Sequence, residues 1–242
     1  MPPRTSAARR RQTRTASLFR FDRAFEVRVV AGTDEAGRGC LAGPLVAAAV
    51  AFDLQALTRT ARRDLAGLDD SKRLSPTARE ALASAILCHA QQVVVRAACA
   101  PTIDRDGLHK SNLRLLAECL AAIDPCAGIC IVDGFRLPDP APAHRAVIDG
   151  DATSAAVAAA SIIAKTTRDR MMVGPAHEMW PRFGFARHVG YGTPEHQDAL
   201  KSGGLCPLHR RSFQSVAYPA PRLVPGERGV STDGSISNAS VM

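Results

Sequence analysis

Several acidic residues stand where structure alone does not call for them. Asp34-Glu35 follows the β-branched run Val27 to Thr33 and precedes Ala36-Gly37-Arg38-Gly39. Asp133 closes the apolar run Gly128 to Val132, and Asp151 comes soon after the short Val147-Ile148 segment. Two adjacent carboxylates repel by about 4 kcal/mol at close range in a protein-like dielectric, so something positive is expected beside them. Carboxylates gathered at strand ends are hard oxygen ligands that suit Mg²⁺ or Mn²⁺, and the chain lacks the His and Cys spacing of a zinc site. Two such ions held close together would make a phosphodiester-cleaving centre. Each position also has a plain structural reading: a solvated turn for Asp34-Glu35 and a helix N-cap for Asp151, with Asp149 near enough to share that part. A phosphate-cradling glycine loop fits poorly. After Gly37 and Gly39 the next glycine is Gly43, one residue out of step with the dinucleotide fingerprint, and the acids would repel a pyrophosphate.

For these acids to meet, the strands that carry them must end together. Val27 to Thr33 and Leu45 to Phe52, separated by a glycine-rich turn, predict a hairpin. Ser75 as N-cap and Pro76 at the first helical position open a helix running toward His89. Val93 to Val95 is a third strand, Leu108 to Ile123 an amphipathic helix, and Gly128 to Val132 a buried strand. An Ala-rich helical stretch fills Ala152 to Trp180, ended or broken near Gly174-Pro175, with Trp180 and Met171-Met172 expected in the core. After the hairpin, strand and helix alternate, which predicts an α/β fold with a mixed sheet. No internal repeat is visible.

Composition bounds the setting. The chain of 242 residues is 46% hydrophobic and 22% charged, which excludes a wholly disordered or fibrous protein. Its net charge of +8 points to a polyanionic partner. Most of that charge lies in the first 23 residues, where Arg4, Arg9, Arg10, Arg11, Arg14, Arg20 and Arg23 face Asp22 alone. This segment is expected to be a mobile basic tail, residues 1–25, although its Arg- and Ser-rich composition also resembles a transit peptide. The Pro-, Gly- and Ser-rich end, residues 218–242, reads as a second disordered tail, leaving 26–217 as the folded unit. The seven cysteines, an odd number without a C-x-x-C pair, read as buried free thiols in a reducing cytoplasm. No apolar run is long enough to span a membrane, and no secretory signal is expected.

Taken in order, a co-linear series of motifs closely resembles bacterial ribonuclease HII over about residues 29–216. These are Thr33-Asp-Glu-Ala-Gly-Arg-Gly39 with Ala42-Gly-Pro44, Asp70-Ser-Lys-Arg-Leu74, Val132-Asp-Gly134, Gly150-Asp151, Ala158 to Asp169, Gly190-Tyr-Gly-Thr193 and His209-Arg-Arg-Ser-Phe213. The resemblance implies a ribonuclease H-like fold, a mixed central sheet flanked by helices, with a C-terminal helical region. It implies hydrolysis of the RNA strand of RNA–DNA hybrids and nicking 5′ of single ribonucleotides in duplex DNA, leaving 5′-phosphate and 3′-hydroxyl ends. Asp34, Glu35, Asp133 and Asp151 would be the catalytic, metal-binding carboxylates for Mg²⁺ or Mn²⁺. Gly37, Arg38 and Gly39 would clamp the ribose through backbone amides that reach the 2′-hydroxyl. Tyr191 would stack on the following deoxyribose. Lys72, Lys165 and Ser161 are candidate phosphate contacts, with Arg168 a weaker one; Lys165 and Ser161 lie one turn apart on a helix. Arg168 and Asp169 can equally form an ion pair, and His209-Arg210-Arg211 either touches the duplex or anchors the C-terminal segment. The chain is expected to be a monomer, with no protein partner legible.

Some positions depart from the family pattern. Phe135 replaces a polar residue after the Asp-Gly of the third motif. Asp149 and Val189 each replace a lysine, and Cys40 follows the glycine clamp where a small residue or proline is usual. Loss of two basic positions is expected to weaken substrate binding or shift metal preference, and Asp149 is a candidate ligand for an additional cation. The alternative function is a non-catalytic hybrid-binding protein, which would have no need of all four acids.

Overall fold

The computed structural model describes residues 6–123 and 128–213, with side chains from Gln12 onward. Helix α1 (Ser6–Arg23) leads into a sheet built from β1 (Val29–Ala36), β2 (Leu45–Asp53), β3 (Gln92–Ala98), β4 (Ile129–Asp133) and β5 (Arg145–Val147). Between β2 and β3 come α2 (Arg59–Asp64) and α3 (Pro76–His89); between β3 and β4 come α4 (Ala100–Asp106) and α5 (Leu108–Ala122). After β5 the chain forms α6 (Ala155–Met171), then α7 (His177–Met179), α8 (Phe185–His188) and α9 (Pro194–Gly203). The strands lie in the order β3-β2-β1-β4-β5. β1 and β2 form the expected hairpin, and β4 joins β1 in parallel, so the sheet is mixed.

Burial follows from the sequence pattern. β2 is apolar along almost its whole length and is buried on both faces, as a central strand must be. On one face of the sheet lies α6, whose Ala155 to Ala160 run carries side chains small enough for close approach. The approach is closest at Gly32, where a methyl group would sit 2.3 Å from the Val157 amide nitrogen. On the other face α5 packs Leu115, Leu116, Cys119 and Leu120. A third apolar cluster, with Phe183, Phe185, Met172 and Leu200, holds the C-terminal helices together. The Ser75 hydroxyl caps α3 by accepting from the Ala78 amide, as the Ser-Pro pair predicts.

Several expectations need correction. β1 runs to Ala36, so Asp34 and Glu35 lie inside the strand and not in the turn beyond it. Asp151 is not the cap of the Ala-rich helix; it sits in the short 3-10 turn Gly150–Ala152, while Ser154 caps α6. That helix ends at Met171 and continues through a wide π turn, Met172–Ala176, which accommodates Pro175. Met172 is buried as expected, whereas Met171 is exposed. Of the described cysteines, all free, Cys40, Cys119, Cys130 and Cys206 are buried but Cys88 and Cys99 are exposed.

The largest correction concerns the expected mobile tail. Residues 6–23 are the helix α1, which buries Thr15, Leu18, Phe19 and Asp22. Those positions follow the i, i+3, i+4, i+7 spacing of one helical face, a signal outweighed in the sequence by the arginines around it. Phe19 meets Phe52 edge to face at 5.7 Å between ring centroids. The Thr15 hydroxyl accepts from the Gly67 amide at 2.9 Å, and Asp22 accepts from the Ala156 amide in the first turn of α6. The expected C-terminal tail, 218–242, and Cys126 lie outside the described residues.

Replacing Phe19 by Ala should therefore lower unfolding stability by about 3 kcal/mol, because it empties a buried aromatic site. Urea denaturation reads this directly; an undocked tail would leave the midpoint unchanged.

Candidate active site

The pairing of β1 with β4 assembles the acidic edge. Thr33 is in register with Val132, so the next residues, Asp34 within β1 and Asp133 at the end of β4, lie side by side. Alternation along β1 then sends Asp34 toward α6 and Glu35 toward α5. Ser161 of α6 hydrogen-bonds Asp34, and Asn112 of α5 faces Glu35. Asn112 is fully buried, and its Nδ2 and Oδ1 make no other hydrogen bond among the described residues. Asp133 accepts from the Gly150 amide at 2.6 Å, which draws the Gly150–Ala152 turn and Asp151 to the same edge.

The electrostatics are those of crowded, half-hidden anions. Burial pushes the Asp34 carboxyl well above its usual range, and the charges of Glu35 and Asp133 add to the shift. Burial likewise raises Glu35 against the opposing pull of Arg38, which reaches its Oε1 at 3.3 Å. Asp133 is raised by burial with Asp149 adding to the effect, and Asp151 by burial with Asp70 and Asp133 adding; Lys72 opposes both shifts. Among the described residues no three His, Cys, Asp or Glu side chains form a ready-made metal cage. Glu35 lies on the opposite face of β1 from Asp34 and Asp133. The donor set nevertheless fits hard divalent cations, being all oxygen, concentrated at one edge and held under mutual repulsion.

A loop of backbone lies beside this edge. Gly37 adopts φ +97°, a conformation that disfavours a side chain, and a methyl there would strike Arg168 Nε at 2.2 Å. Gly39 has open space where a Cβ would point, so a ligand can approach its backbone. Leu41 N donates to Gly190 O at 2.9 Å, which ties this loop to the segment carrying Tyr191. The Tyr191 ring is exposed, stands 5.3 Å from Lys165 Nζ and shares its hydroxyl environment with the buried Cys40 thiol.

The sequence-predicted residues divide into two groups. Asp34, Glu35, Asp133, Asp151, Arg38, Lys72 and Ser161 belong to the acidic edge, with the Ser161 hydroxyl also 2.9 Å from that of Ser71. Lys165 is turned away from the acids and paired with Asp169 at 2.8 Å; Asp169 also binds Arg79, so the considered Arg168–Asp169 pair does not form. Arg168 is not a phosphate contact. It is fully buried and donates to the carbonyls of Pro44, Val189 and Ala42. Arg210, equally buried, donates to the carbonyls of Gly43 and Arg38. His209-Arg210-Arg211 is thereby an anchor, completed by Asp104, which accepts from the Arg211 and Ser212 amides. The anchoring alternative considered for His209-Arg210-Arg211 is the one that forms, whereas the support roles of Arg168 and Asn112 were not read from the sequence, because a fully buried arginine without a carboxylate partner runs against the usual expectation. The departures also find places: Phe135 lies under Arg38, while Asp149 and Val189 adopt left-handed backbone conformations.

Behind Tyr191 three histidines lock together. His196 Nδ1 meets the Tyr191 carbonyl at 2.8 Å, so it carries the proton and leaves Nε2 to accept. His209 Nε2 donates to it at 3.0 Å, and His209 Nδ1 accepts from the Cys206 amide. His188 stacks on His196 at 4.4 Å and donates to the Phe183 carbonyl. The two bonds that ring nitrogens accept, at His196 Nε2 and His209 Nδ1, need those rings neutral. Burial, with His196 facing it, pushes His209 down to about 4.

The family model for Ribonuclease HII matches residues 31–216. A Ribonuclease HII of Geobacillus kaustophilus is 45% identical over 208 residues, covering 85% of this chain and 76% of that protein. One from Nocardia farcinica is 48% identical over 189 residues, covering 77% of this chain and 72% of the relative. The crystal structure of ribonuclease H2 from Pyrococcus horikoshii superposes with a TM-score of 0.65 at 27% identity, covering 77% of this chain and 94% of that one.

A histidine whose proton affinity is lowered by folding stabilises the fold only while it is neutral. That contribution is complete above about pH 6.5 and is lost as pH falls toward 4. Between pH 7 and pH 5 the protein should lose roughly 2 kcal/mol more stability than a His209→Gln variant, measured by urea unfolding at each pH. Parallel pH slopes would show that His209 is not held neutral.

Proposed function

The chain belongs to the ribonuclease HII family, metal-dependent endoribonucleases that cleave the RNA strand of RNA–DNA hybrids, and from that premise we propose how its own residues do this. Asp34, Glu35, Asp133 and Asp151 hold two divalent cations, Mg²⁺ or Mn²⁺, and the enzyme also nicks duplex DNA on the 5′ side of a single ribonucleotide. The observation that carries this reading is the β1–β4 register, which sets Asp34 beside Asp133 at one edge with Glu35 and Asp151, all four electrostatically strained. When bound, the ions would supply an activated water and neutralise charge on the leaving 3′ oxygen, giving 5′-phosphate and 3′-hydroxyl products.

The remaining work falls to the protein. Amides of Gly37 to Gly39 approach the ribose and bind the 2′-hydroxyl, the group that separates RNA from DNA. Arg38 stays between the Glu35 carboxylate and the Phe135 ring, which fixes the loop that presents those amides. Tyr191 offers its exposed ring to the next sugar, supported by Lys165 from below. Lys72 and Ser161 meet the phosphate next to the cut. Among the described residues no helix is long and apolar enough to cross a membrane. The free cysteines suit a reducing cytoplasm, where the enzyme acts as a monomer on hybrids and on ribonucleotide-containing DNA.

A labelled DNA duplex bearing one ribonucleotide should be nicked on the 5′ side of that residue with Mg²⁺ or Mn²⁺, and EDTA should stop the reaction. Intact duplex at all metal concentrations would refute the proposal. Asp34→Asn should reduce kcat by about a thousandfold or more. It should also raise cation-free thermal stability at neutral pH, because it removes one of several buried like charges. A variant that still cleaves, or one destabilised by the change, would contradict the assignment of Asp34.

A further inference from the structure

We infer that α1 and α2 form a second, basic binding face that takes the phosphate backbone of the duplex arm flanking the cut. The inference rests on the ribonuclease reading for the identity of its ligand. It goes beyond it by assigning a surface that the four carboxylates and the glycine clamp do not use.

Charge is the first argument. α1 buries one face on the domain and leaves Arg20 and Arg23 exposed, while α2 exposes Arg59, Arg62 and Arg63. The acid on α2, Asp64, is shared between Arg63 and His89, and the acid on α1, Asp22, is buried against α6. Gln12 of α1 and Thr60, Arg59, Arg62 and Arg63 of α2 line a common cavity. Arg23 and Arg62 are close enough to oppose each other's charge. Like charges held together on two docked helices cost stability unless an anion lies between them, and a row of phosphates is such an anion.

Continuity with the active site is the second. A second groove is lined by Thr13, Arg14 and Ser17 of α1, by Asp69 and Arg73, and by Ala152, the residue after Asp151; the Arg14–Asp69 ion pair at 2.6 Å bridges it. Thr13 in that groove and Gln12 in the cavity are neighbours on α1, so the helix carries a surface from the catalytic edge to the arginine face. Its 18 residues span about 27 Å, most of one turn of duplex at about 34 Å.

Physical need is the third. Until cations bind, the catalytic edge is acidic and repels a phosphate backbone, so positive charge elsewhere on the surface favours the first encounter. A flanking arginine face supplies it at a distance that leaves the chemistry alone.

The test compares two duplexes with one ribonucleotide each, one with arms of about four base pairs on both sides and one with arms of about 15, longer than a helical turn. The protein carries Arg59→Ser, Arg62→Ser and Arg63→Ser together, with Arg→Lys at the same three positions as the charge-conserving control. On the long duplex the Ser variant should show KM raised about tenfold, with kcat unchanged and the salt slope of log K reduced by about two to three. KM on the short duplex should stay at the wild-type value, and the Lys variant should behave as wild type on both. A KM that rises equally on both duplexes, or on neither, overturns the proposal. If the wild-type protein cleaves neither duplex, the ribonuclease reading has failed. Long-duplex binding then still decides the surface: weakened in the Ser variant it stands, unchanged it falls.

Discussion

The parallel pairing of β1 with β4 is the constraint on which the rest of the site depends. Val30 to Thr33 lie against Ile129 to Val132, and one further residue on each strand brings Asp34 next to Asp133. A slip of one residue would turn Asp34 to the α5 face and Glu35 to the α6 face, because side chains alternate along a strand. The register is held by apolar burial on both sides of β1. It is reinforced at Gly32, where α6 comes so close that no other residue fits without displacing the backbone of Val157. The same approach delivers Ser161 to Asp34.

The acids carry a cost that the surrounding structure has to bear. Their repulsion and partial burial oppose folding at neutral pH, so the loops around them need rigid support from other interactions. Two buried arginines provide it. Arg168 and Arg210 place their forks on the carbonyls of residues 38, 42, 43, 44 and 189, which joins the glycine loop to the Tyr191 segment. A buried guanidinium is tolerated because its N–H groups are matched by carbonyl oxygens, and these oxygens would otherwise lie unpaired in a tight loop. Lys in place of either could not span them. The hydrogen-bonded pair His196 and His209 adds a second brace behind Tyr191.

The net charge of +8 takes on a different meaning once α1 is docked. Leu18 and Phe19 enter the core, Asp22 holds the first turn of α6, and the described arginines of the helix end on a fixed surface instead of a moving chain. The catalytic edge is negative and its flank is positive. Such separation lets a domain attract a polyanion while concentrating carboxylates at the point of chemistry.

From its sequence alone the protein could be assigned an α/β fold, the hairpin, the Ser75-Pro76 helix start and the strand that ends at Asp133. These are local signals, carried by alternation, capping and turn residues, and they survive in any tertiary context; the four acids were picked out together only through the family resemblance. Two helices, α2 and α4, left too little periodicity to be read, and the apolar stripe of α1 was hidden by the arginines around it. Tertiary structure decided that Asp34 and Glu35 face opposite sides of the sheet and that Lys165, a candidate phosphate contact, pairs with Asp169 and stands over Tyr191. It also decided that Arg168 and Arg210 are internal struts. The reason is physical: a side chain's type states what it can bind, but its partner is set by which distant segment packs against it. For a buried arginine that partner is a carbonyl more than a hundred residues away.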